Sequence, residues 1–233
     1  MTLPLAHRTR KQLNPGKFYP RGAVPRDGGV NFAVYSRYAE DIFLILFDEP
    51  DGEPTDIILM ESTTRNIRHV FVHGIGPGQL YAFRARGSYD PSRGMRFNPS
   101  KLLVSPYSKS ITGPIRDEDG LLFAYDTKGI HGDLIPDTRD NMHLMPKSVV
   151  IDDHAFDWEG DIPPDIPYDE LVIYEAHLKG FTAHPSSGVK SPGTYLGFIE
   201  KIPYLKELGI NAVEFLPLQQ FYVEDFLLNN GLT

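Results

Sequence analysis

The sequence contains no cysteine and only one tryptophan, Trp158, in 233 residues. Without cysteine there is no disulfide framework, thiolate metal site or thiol nucleophile. No apolar run approaches the roughly 18 residues of a membrane-spanning helix. Residues 1–13 also lack the continuous apolar core of a secretory signal. We therefore expect a cytoplasmic protein with no membrane partner.

Basic residues are also scarce relative to acidic ones. The chain has 23 Lys and Arg against 31 Asp and Glu, a formal net charge of −8. This balance disfavours nucleic acid as a main partner, but it does not exclude a neutral ligand such as a sugar. A basic cluster precedes the first acidic residue, and we interpret it as a solvated tail or edge. Its members are Arg8, Arg10, Lys11, Lys17, Arg21 and Arg26.

Short apolar segments separated by turn residues occupy the first half of the chain. They predict strands at residues 30–35, 42–47, 57–60, 69–73 and 81–86. In the last of these, aromatic rings alternate with Arg84 and Arg86, a period of two that predicts a half-buried strand. After a tail at residues 1–12, residues 13–125 are therefore predicted to form an antiparallel β-sandwich.

The pattern changes in the second half of the chain. Residues 126–169 are rich in Pro, Gly and Asp and are predicted to be a connection between domains. Residues 171–174 are continuously apolar, which is typical of a parallel strand covered on both faces. A helical stripe that ends near Gly209 and a second apolar strand at 212–216 follow. This order predicts a βαβ unit.

Four ordered segments resemble one enzyme family. They are GMRFNPSKLL (94–103), FDWEGD (156–161), IYEAHLKGFT (173–182) and IPYLKELGINAVEFLP (202–217). Together they resemble the isoamylase-type glycogen debranching enzymes, within the α-amylase-like glycoside hydrolases, from about Leu13 to the end of the chain. The resemblance implies a multi-domain chain with an immunoglobulin-like, carbohydrate-binding type of β-sandwich. The first βαβ of a (β/α)₈ TIM barrel would follow at residues 170–233, truncated because a complete barrel needs about 250 residues.

The resemblance also implies a function. The chain would be the N-terminal fragment of a retaining hydrolase that cleaves α-1,6-glucosidic branch linkages in glycogen or limit dextrins, with no organic cofactor. In this family the catalytic carboxylates lie on later barrel strands, so no catalytic residue is assigned and the fragment is expected to be inactive alone. Its partners would be α-glucans. Two alternatives stay open: a stand-alone α-glucan-binding or architectural module, and a fragment of a branching enzyme or a trehalose-releasing hydrolase.

Three residues are candidates for substrate contact. His177 lies towards the C-terminal end of the first predicted barrel strand, where barrels keep their active sites. It is either part of the substrate wall or a packed, hydrogen-bonded histidine. Lys179, in the predicted loop that follows, would line the outer rim. Trp158 either stacks on a sugar ring or pins its segment to the barrel.

Other polar and aromatic residues have weaker claims. Glu175 and Glu214 lie on neighbouring predicted strands and mimic a retaining pair, whose carboxyls are about 5–5.5 Å apart, but we interpret them as buried structural acids. No metal site is predicted, because residues 131–133 and 152–154 have no further ligands at a recognisable spacing. Four tyrosines in or beside the sandwich are alternative stacking candidates: Tyr19, Tyr35, Tyr38 and Tyr89.

Overall fold

The computed structural model describes residues 6–115, 120–219 and 223–232. The first five residues of the predicted tail and the last residue of the predicted barrel segment, Thr233, lie outside the described residues. The chain divides into two compact units, Met1–Phe156 and Asp157–Thr233. Each unit has its own secondary structure and its own buried cluster.

The first unit is a sandwich of two antiparallel sheets. In chain order its strands are β1 (Leu13–Asn14), β2 (Gly22–Arg26), β3 (Gly29–Tyr35), β4 (Asp41–Phe47), β5 (Asp56–Leu59), β6 (Ser62–Thr64), β7 (Ile67–His73), β8 (Leu80–Arg86), β9 (Tyr89–Asp90), β10 (Met95–Arg96) and β11 (Ser148–Val149). The first sheet has the order β1-β7-β3-β2, with β6 also paired to β7, and the second has the order β11-β8-β4-β5. Strands β9 and β10 form a separate pair, and short 3₁₀ turns occupy Pro91–Arg93 and Gly132–Leu134.

The five strands predicted for the sandwich are confirmed, because β3, β4, β5, β7 and β8 occupy those segments. In the first sheet the period of two sorts the side chains between the faces. Val30 and Phe32 of β3 belong to the core between the sheets. Asn31, between them, is paired in register with Phe71 of β7 on the other face.

The second sheet is buried on both faces. Leu44 and Leu46 of β4 face the first sheet, whereas Phe43 and Ile45 belong to a second apolar cluster with Leu102 on the opposite side. The segment that follows β10 covers this outer face. Continuous burial explains why β4 reads as an uninterrupted apolar run.

The prediction that β8 is half-buried is therefore wrong. Arg84 is only 1% exposed. Its guanidinium donates to both carboxylate oxygens of Asp140 at 2.8 Å and to the carbonyl of Pro99 at 2.9 Å. An arginine in a strand can thus be buried when a distant carboxylate neutralises it.

The structure also divides the predicted connection, residues 126–169. Its part up to Phe156 lies within the first unit. Isolated β-bridges join Tyr125 to Pro136 and Ile111 to Ser148, and β11 pairs with β8. Proline and glycine prevent a regular ladder here, so the segment relies on side-chain hydrogen bonds to hold its backbone.

The second unit contains a parallel strand pair. Its elements are β12 (Ile173–Ala176), α1 (Leu178–Ala183), α2 (Tyr195–Glu200), α3 (Ile202–Glu207), β13 (Ala212–Phe215) and α4 (Asp225–Asn229), with 3₁₀ turns at Tyr168–Glu170 and Pro185–Ser187. Strands β12 and β13 pair in parallel, with Glu175 opposite Glu214. The predicted order of strand, helix and strand is therefore confirmed. The prediction that the first of these strands is covered on both faces is wrong for this unit, because Val172 and Ile173 are about half exposed.

The helical region is interrupted once. Thr194 caps α2 by accepting a hydrogen bond from the Gly197 amide at 3.2 Å. Lys201 separates α2 from α3, and Pro203 lies in the first turn of α3, where its missing N–H costs nothing. The small core of the unit consists of Ala176, Phe198 and Leu205 with partly buried neighbours. Among the residues that the structure describes, no helix has the length and apolar character needed to cross a bilayer.

Candidate functional site

The segment 94–103 holds residues 121–139 against the outer face of the second sheet through side-chain hydrogen bonds. The Asn98 side-chain amide donates to the carbonyls of Ala124 at 2.9 Å and Asp137 at 2.7 Å. The buried Lys101 ammonium donates to the Leu121 carbonyl at 2.9 Å, the Arg139 carbonyl at 3.0 Å and the Asp137 carboxylate at 3.2 Å. The polar residues of this segment are thus already engaged in holding the backbone.

Asp137 is the central anion of this arrangement. Burial alone would raise the pKa of its carboxyl group, but hydrogen bonds from Arg139 and Lys101 outweigh burial and lower the pKa from 3.8 to about 2. Asp137 is therefore ionised throughout the physiological range. Its charge compensates Lys101, which is almost completely buried.

Lys147 is a second buried cation on this side of the sheet. Its ammonium donates to the carbonyls of Met142 at 2.7 Å and Met145 at 2.6 Å, and it lies 5.1 Å from the centre of the Phe47 ring. Burial lowers the pKa of Lys147. Because its described partners are carbonyls and a ring, we assign it a structural role rather than ligand binding.

A pocket of about 450 Å³, here called the motif pocket, opens beside the same segment. It lies where β3 and β8 end and β4 begins. Val34, Ile42, Phe83, Phe97 and Leu103 contribute to its largely apolar wall. Its size falls within the usual range for small-molecule sites.

Two tyrosines and a serine form the polar side of the motif pocket. Tyr35 is 48% exposed and Tyr38 is 58% exposed. The Arg37 guanidinium lies 5.2 Å from the centre of the Tyr38 ring. No described residue hydrogen-bonds to the hydroxyls of Tyr35, Ser36 or Tyr38. These rings and free hydroxyls can receive the apolar face and the hydroxyls of a sugar.

The structure separates the four tyrosines predicted as stacking candidates. Tyr35 and Tyr38 lie together in the motif pocket. The hydroxyl of Tyr89 donates to the Asp133 carbonyl at 2.8 Å, which ties this half-buried ring to the fold. Tyr19 lies in a different pocket, on the outer face of the first sheet.

The three predicted substrate-contact residues belong to the second unit. His177 is exposed and caps α1, where its Nδ1 accepts a hydrogen bond from the Gly180 amide at 2.9 Å. Lys179 is exposed within α1 rather than in a loop, because the helix begins at Leu178. Trp158 is 66% exposed. Their role in substrate contact stays a prediction.

Glu175 and Glu214 are exposed, so the prediction that they are buried is wrong for this chain. They are neighbours in the parallel register of β12 and β13. Two like charges side by side on a sheet repel each other, and water on this open face screens that repulsion. Neither residue has the environment of a buried acid.

The two segments weighed as metal ligands have other partners. Asp133 is paired with Arg96, Asp153 is paired with Lys109, and Asp152 accepts from the His154 amide. Within the described ranges, no group of three or more His, Asp or Glu side chains is placed to hold a metal ion.

The ion pairs between Arg84 and Asp140 and between Lys101 and Asp137 were not predicted from the sequence. A signal was present: Lys101 directly precedes two leucines in the recognised segment, and Arg84 lies in a strand flanked by apolar residues. Charges in such positions are either solvated or paired, and sequence alone does not distinguish these cases.

Comparisons with known proteins found similar sequences for both units. Residues 20–108 match the family model of carbohydrate-binding module 48, the isoamylase N-terminal domain. The chain is 41% identical over 224 residues to a glycogen debranching enzyme of Serratia proteamaculans, covering 95% of this chain and 32% of that protein. A glycogen debranching enzyme of Salmonella typhi is 40% identical over 225 residues, with 33% of its length covered. The predicted resemblance is confirmed, and the chain spans about a third of the length of the curated relatives it matches.

Solved structures support the same fold. The chain aligns with apo pullulanase from Paenibacillus barengoltzii with a TM-score of 0.62 and 21% identity, over 89% of this chain and 28% of that one. Pullulanase from Bacillus acidopullulyticus gives a TM-score of 0.62 and 23% identity, over 88% of this chain and 22% of that one. At this identity the match establishes the architecture and leaves the substrate open.

Proposed function

We propose that this chain, which is similar over 95% of its length to the N-terminal third of glycogen debranching enzymes, is the N-terminal region of a cytoplasmic hydrolase of α-1,6 branch linkages. The observation that carries this proposal is the order of the units. A sandwich matching an isoamylase N-terminal module precedes a parallel strand, helix and strand, and one alignment covers both.

In this proposal residues 170–233 are the first βαβ of a (β/α)₈ barrel. The parallel pairing of β12 with β13 supports it, since parallel strands of this kind are covered by helices and further strands. The exposed apolar residues Ile173, Val213 and Leu216 also support it, because a complete barrel would cover such positions.

The second unit would then contribute to the substrate-binding end of the barrel. His177 follows the C-terminal end of β12, the end at which barrels build their sites. Lys179, the second residue of α1, would reach the outer rim of the barrel. The exposed ring of Trp158 would offer a surface on which a sugar ring could stack. The catalytic carboxylates would lie on strands beyond this chain, and retention would require two of them.

The first unit would bind α-glucan without performing chemistry. In the motif pocket the rings of Tyr35 and Tyr38 would stack on glucosyl residues, and their hydroxyls would bond to sugar hydroxyls. The side chains of Arg96, Asn98 and Lys101 in this pocket are occupied by structural contacts, so the rings and the Ser36 hydroxyl would provide most of the recognition.

Affinity electrophoresis in gels containing glycogen tests the proposal. We expect glycogen to retard the chain, and we expect the Tyr35→Ala/Tyr38→Ala variant to be retarded less. Tyr168→Ala, at an exposed tyrosine in the second unit, is the matched control and should migrate like the original chain. Absence of retardation would instead favour a purely architectural module.

A reducing-end assay with glycogen and limit dextrin tests the second part. We expect this chain alone to release no linear maltooligosaccharide, because the catalytic strands of the family lie later than β13. Release of such products would contradict the assignment of the chain as a non-catalytic region.

A further inference from the structure

We propose a second α-glucan-binding site on the outer face of the first sheet, here called the sheet-face pocket. It has a volume of about 460 Å³ and is lined by Lys17, Tyr19, Arg26, Asp27, Asn31 and Phe71, among others. It shares no lining residue with the motif pocket. This inference rests on the proposed α-glucan function of the first unit.

The segment 14–20 that forms one wall of the pocket is held firmly against the sheet. The Asn31 side chain accepts from the Lys17 amide at 2.6 Å and donates to the Lys17 carbonyl at 2.9 Å. The ring of His69 bonds to the Pro15 carbonyl at 2.6 Å. Asn31 is itself 4% exposed, so a buried side chain fixes the position of the wall. Preorganisation of this kind reduces the entropic cost of binding.

A glycine permits the close approach of this wall. Gly16 has a φ of +73°, and a Cβ at this position would lie 2.7 Å from Asn31 Oδ1 and 2.8 Å from the Phe71 amide nitrogen. No other residue type fits without displacing the segment. Lys17 and Tyr19 are thereby brought beside Phe71 of β7.

Free hydrogen-bonding groups surround the pocket. Within the described chain, the side chains of Lys17, Arg26 and Asp27 make no hydrogen bond or ion pair with another residue. The pocket thus offers two cationic donors and one anionic acceptor, whereas in the motif pocket Arg96, Asn98 and Lys101 are already engaged. Hydrogen bonds to charged groups are among the stronger ones that a neutral ligand can make.

Aromatic rings complete the sheet-face pocket. Tyr19 is 70% exposed, and Phe71 is half-buried on the sheet face, where it meets the ring of His73 edge-on at 4.7 Å. A pyranose has an apolar face that packs on such rings and an edge of hydroxyls that both donate and accept. Mixed donors and acceptors beside rings suit a neutral polyhydroxyl chain better than an anion.

The family match agrees with the identity of this ligand. Five of the nine lining residues, including Arg26, Asp27, Asn31 and Phe71, fall within residues 20–108, which match a carbohydrate-binding module. The other four, which include Lys17 and Tyr19, directly precede that range. An exposed, open pocket on a sheet face suits a linear segment of α-glucan. Two separate sites on one unit would allow a branched polymer to be held at two points, which strengthens binding through avidity.

Titration with maltohexaose tests the site in the full chain carrying Tyr35→Ala/Tyr38→Ala, which removes the first proposed contact. We expect binding to persist, and adding Tyr19→Ala should raise Kd about tenfold, the effect of losing one interface anchor. Asp27→Asn, which keeps the shape of the side chain, should raise Kd about threefold. Tyr168→Ala should leave Kd unchanged, and unchanged thermal unfolding of each variant would exclude misfolding.

The outcomes distinguish this inference from the proposed function. If the chain binds maltohexaose but Tyr19→Ala and Asp27→Asn do not change Kd, the sheet-face pocket is not a glucan site and the proposed function stands. If the chain binds neither maltohexaose nor glycogen, both fail. Chemical-shift changes at Tyr19 and Phe71 during the titration would locate the ligand directly in support of the site.

Discussion

At the scale of single residues, the segments that cover the outer face of the second sheet depend on buried charges. Arg84, Lys101 and Lys147 each place a cation against carbonyl oxygens, and the first two also meet a carboxylate. Burying an ion is costly unless hydrogen bonds and an opposite charge compensate it. These residues therefore specify one position for a segment that has little regular structure.

Asp137 should make the stability of the first unit depend on pH. Its folded pKa of about 2 lies below the ordinary 3.8, so the folded state favours the ionised form. As pH falls from about 4 to 2, the unfolded state takes up the proton first, and about 2 kcal/mol of stability should be lost. Urea unfolding measured at pH 6 and at pH 2 checks this.

Two variants sharpen the measurement. Asp137→Asn should be destabilised at pH 6 and should show a smaller loss between the two pH values. Asp153→Asn, which removes an exposed ion pair with Lys109, is the control and should change stability by less than about 1 kcal/mol. Equal pH dependence in all three proteins would contradict the role of Asp137.

At the scale of elements, the short strand β1 and the segment after it depend on close backbone approach. β1 pairs with β7 over only two residues, Leu13 and Asn14. The chain then turns at Gly16, whose left-handed φ and contact with the backbone of β7 leave no room for a side chain. The position of the chain at this edge of the first sheet thus depends on Gly16 and on the side-chain amide of Asn31, which bonds to the backbone of Lys17.

Replacing this glycine should separate conformational strain from steric conflict. Gly16→Ala and Gly28→Ala both place a side chain at positive φ, +73° and +79° respectively. Strain alone costs roughly 1–2 kcal/mol, which is what we expect for Gly28→Ala, where nothing lies within 4 Å of the new Cβ. Gly16→Ala should cost more, because the new Cβ also meets Phe71 and Asn31. Equal unfolding free energies for the two variants would refute the steric contribution.

At the scale of the whole molecule, the two units differ in how completely each covers its apolar surface. The first unit buries two apolar clusters, one on each side of its second sheet. Among its described residues, the second unit has three buried apolar residues in its cluster and exposes Leu196, Ile199 and Leu208 of its helical region. In the barrel proposed above, further strands and helices would cover this surface.

Hydrogen exchange should therefore divide the chain. We expect slow exchange in β3, β4 and β8 and fast exchange throughout residues 171–216, because local stability follows buried apolar contacts. Mass spectrometry of peptic peptides measures both regions in one sample. Strong protection throughout 171–216 in the isolated monomer would show that the second unit is stable without further strands.

Local pattern alone determined the positions of five sandwich strands, the parallel strand and helix order, and the segments that carry the family resemblance. These features depend on residues close in sequence, where period and capping are readable. Three features required the folded chain: burial of the second sheet on both faces, burial of Arg84 against Asp140, and the placement of Tyr35 and Tyr38 in one pocket and Tyr19 in another. Arg84 and Asp140 are 56 residues apart. Sequence periodicity reports only on residues a few positions apart. It therefore cannot predict a pairing that forms only when the fold brings two distant segments together.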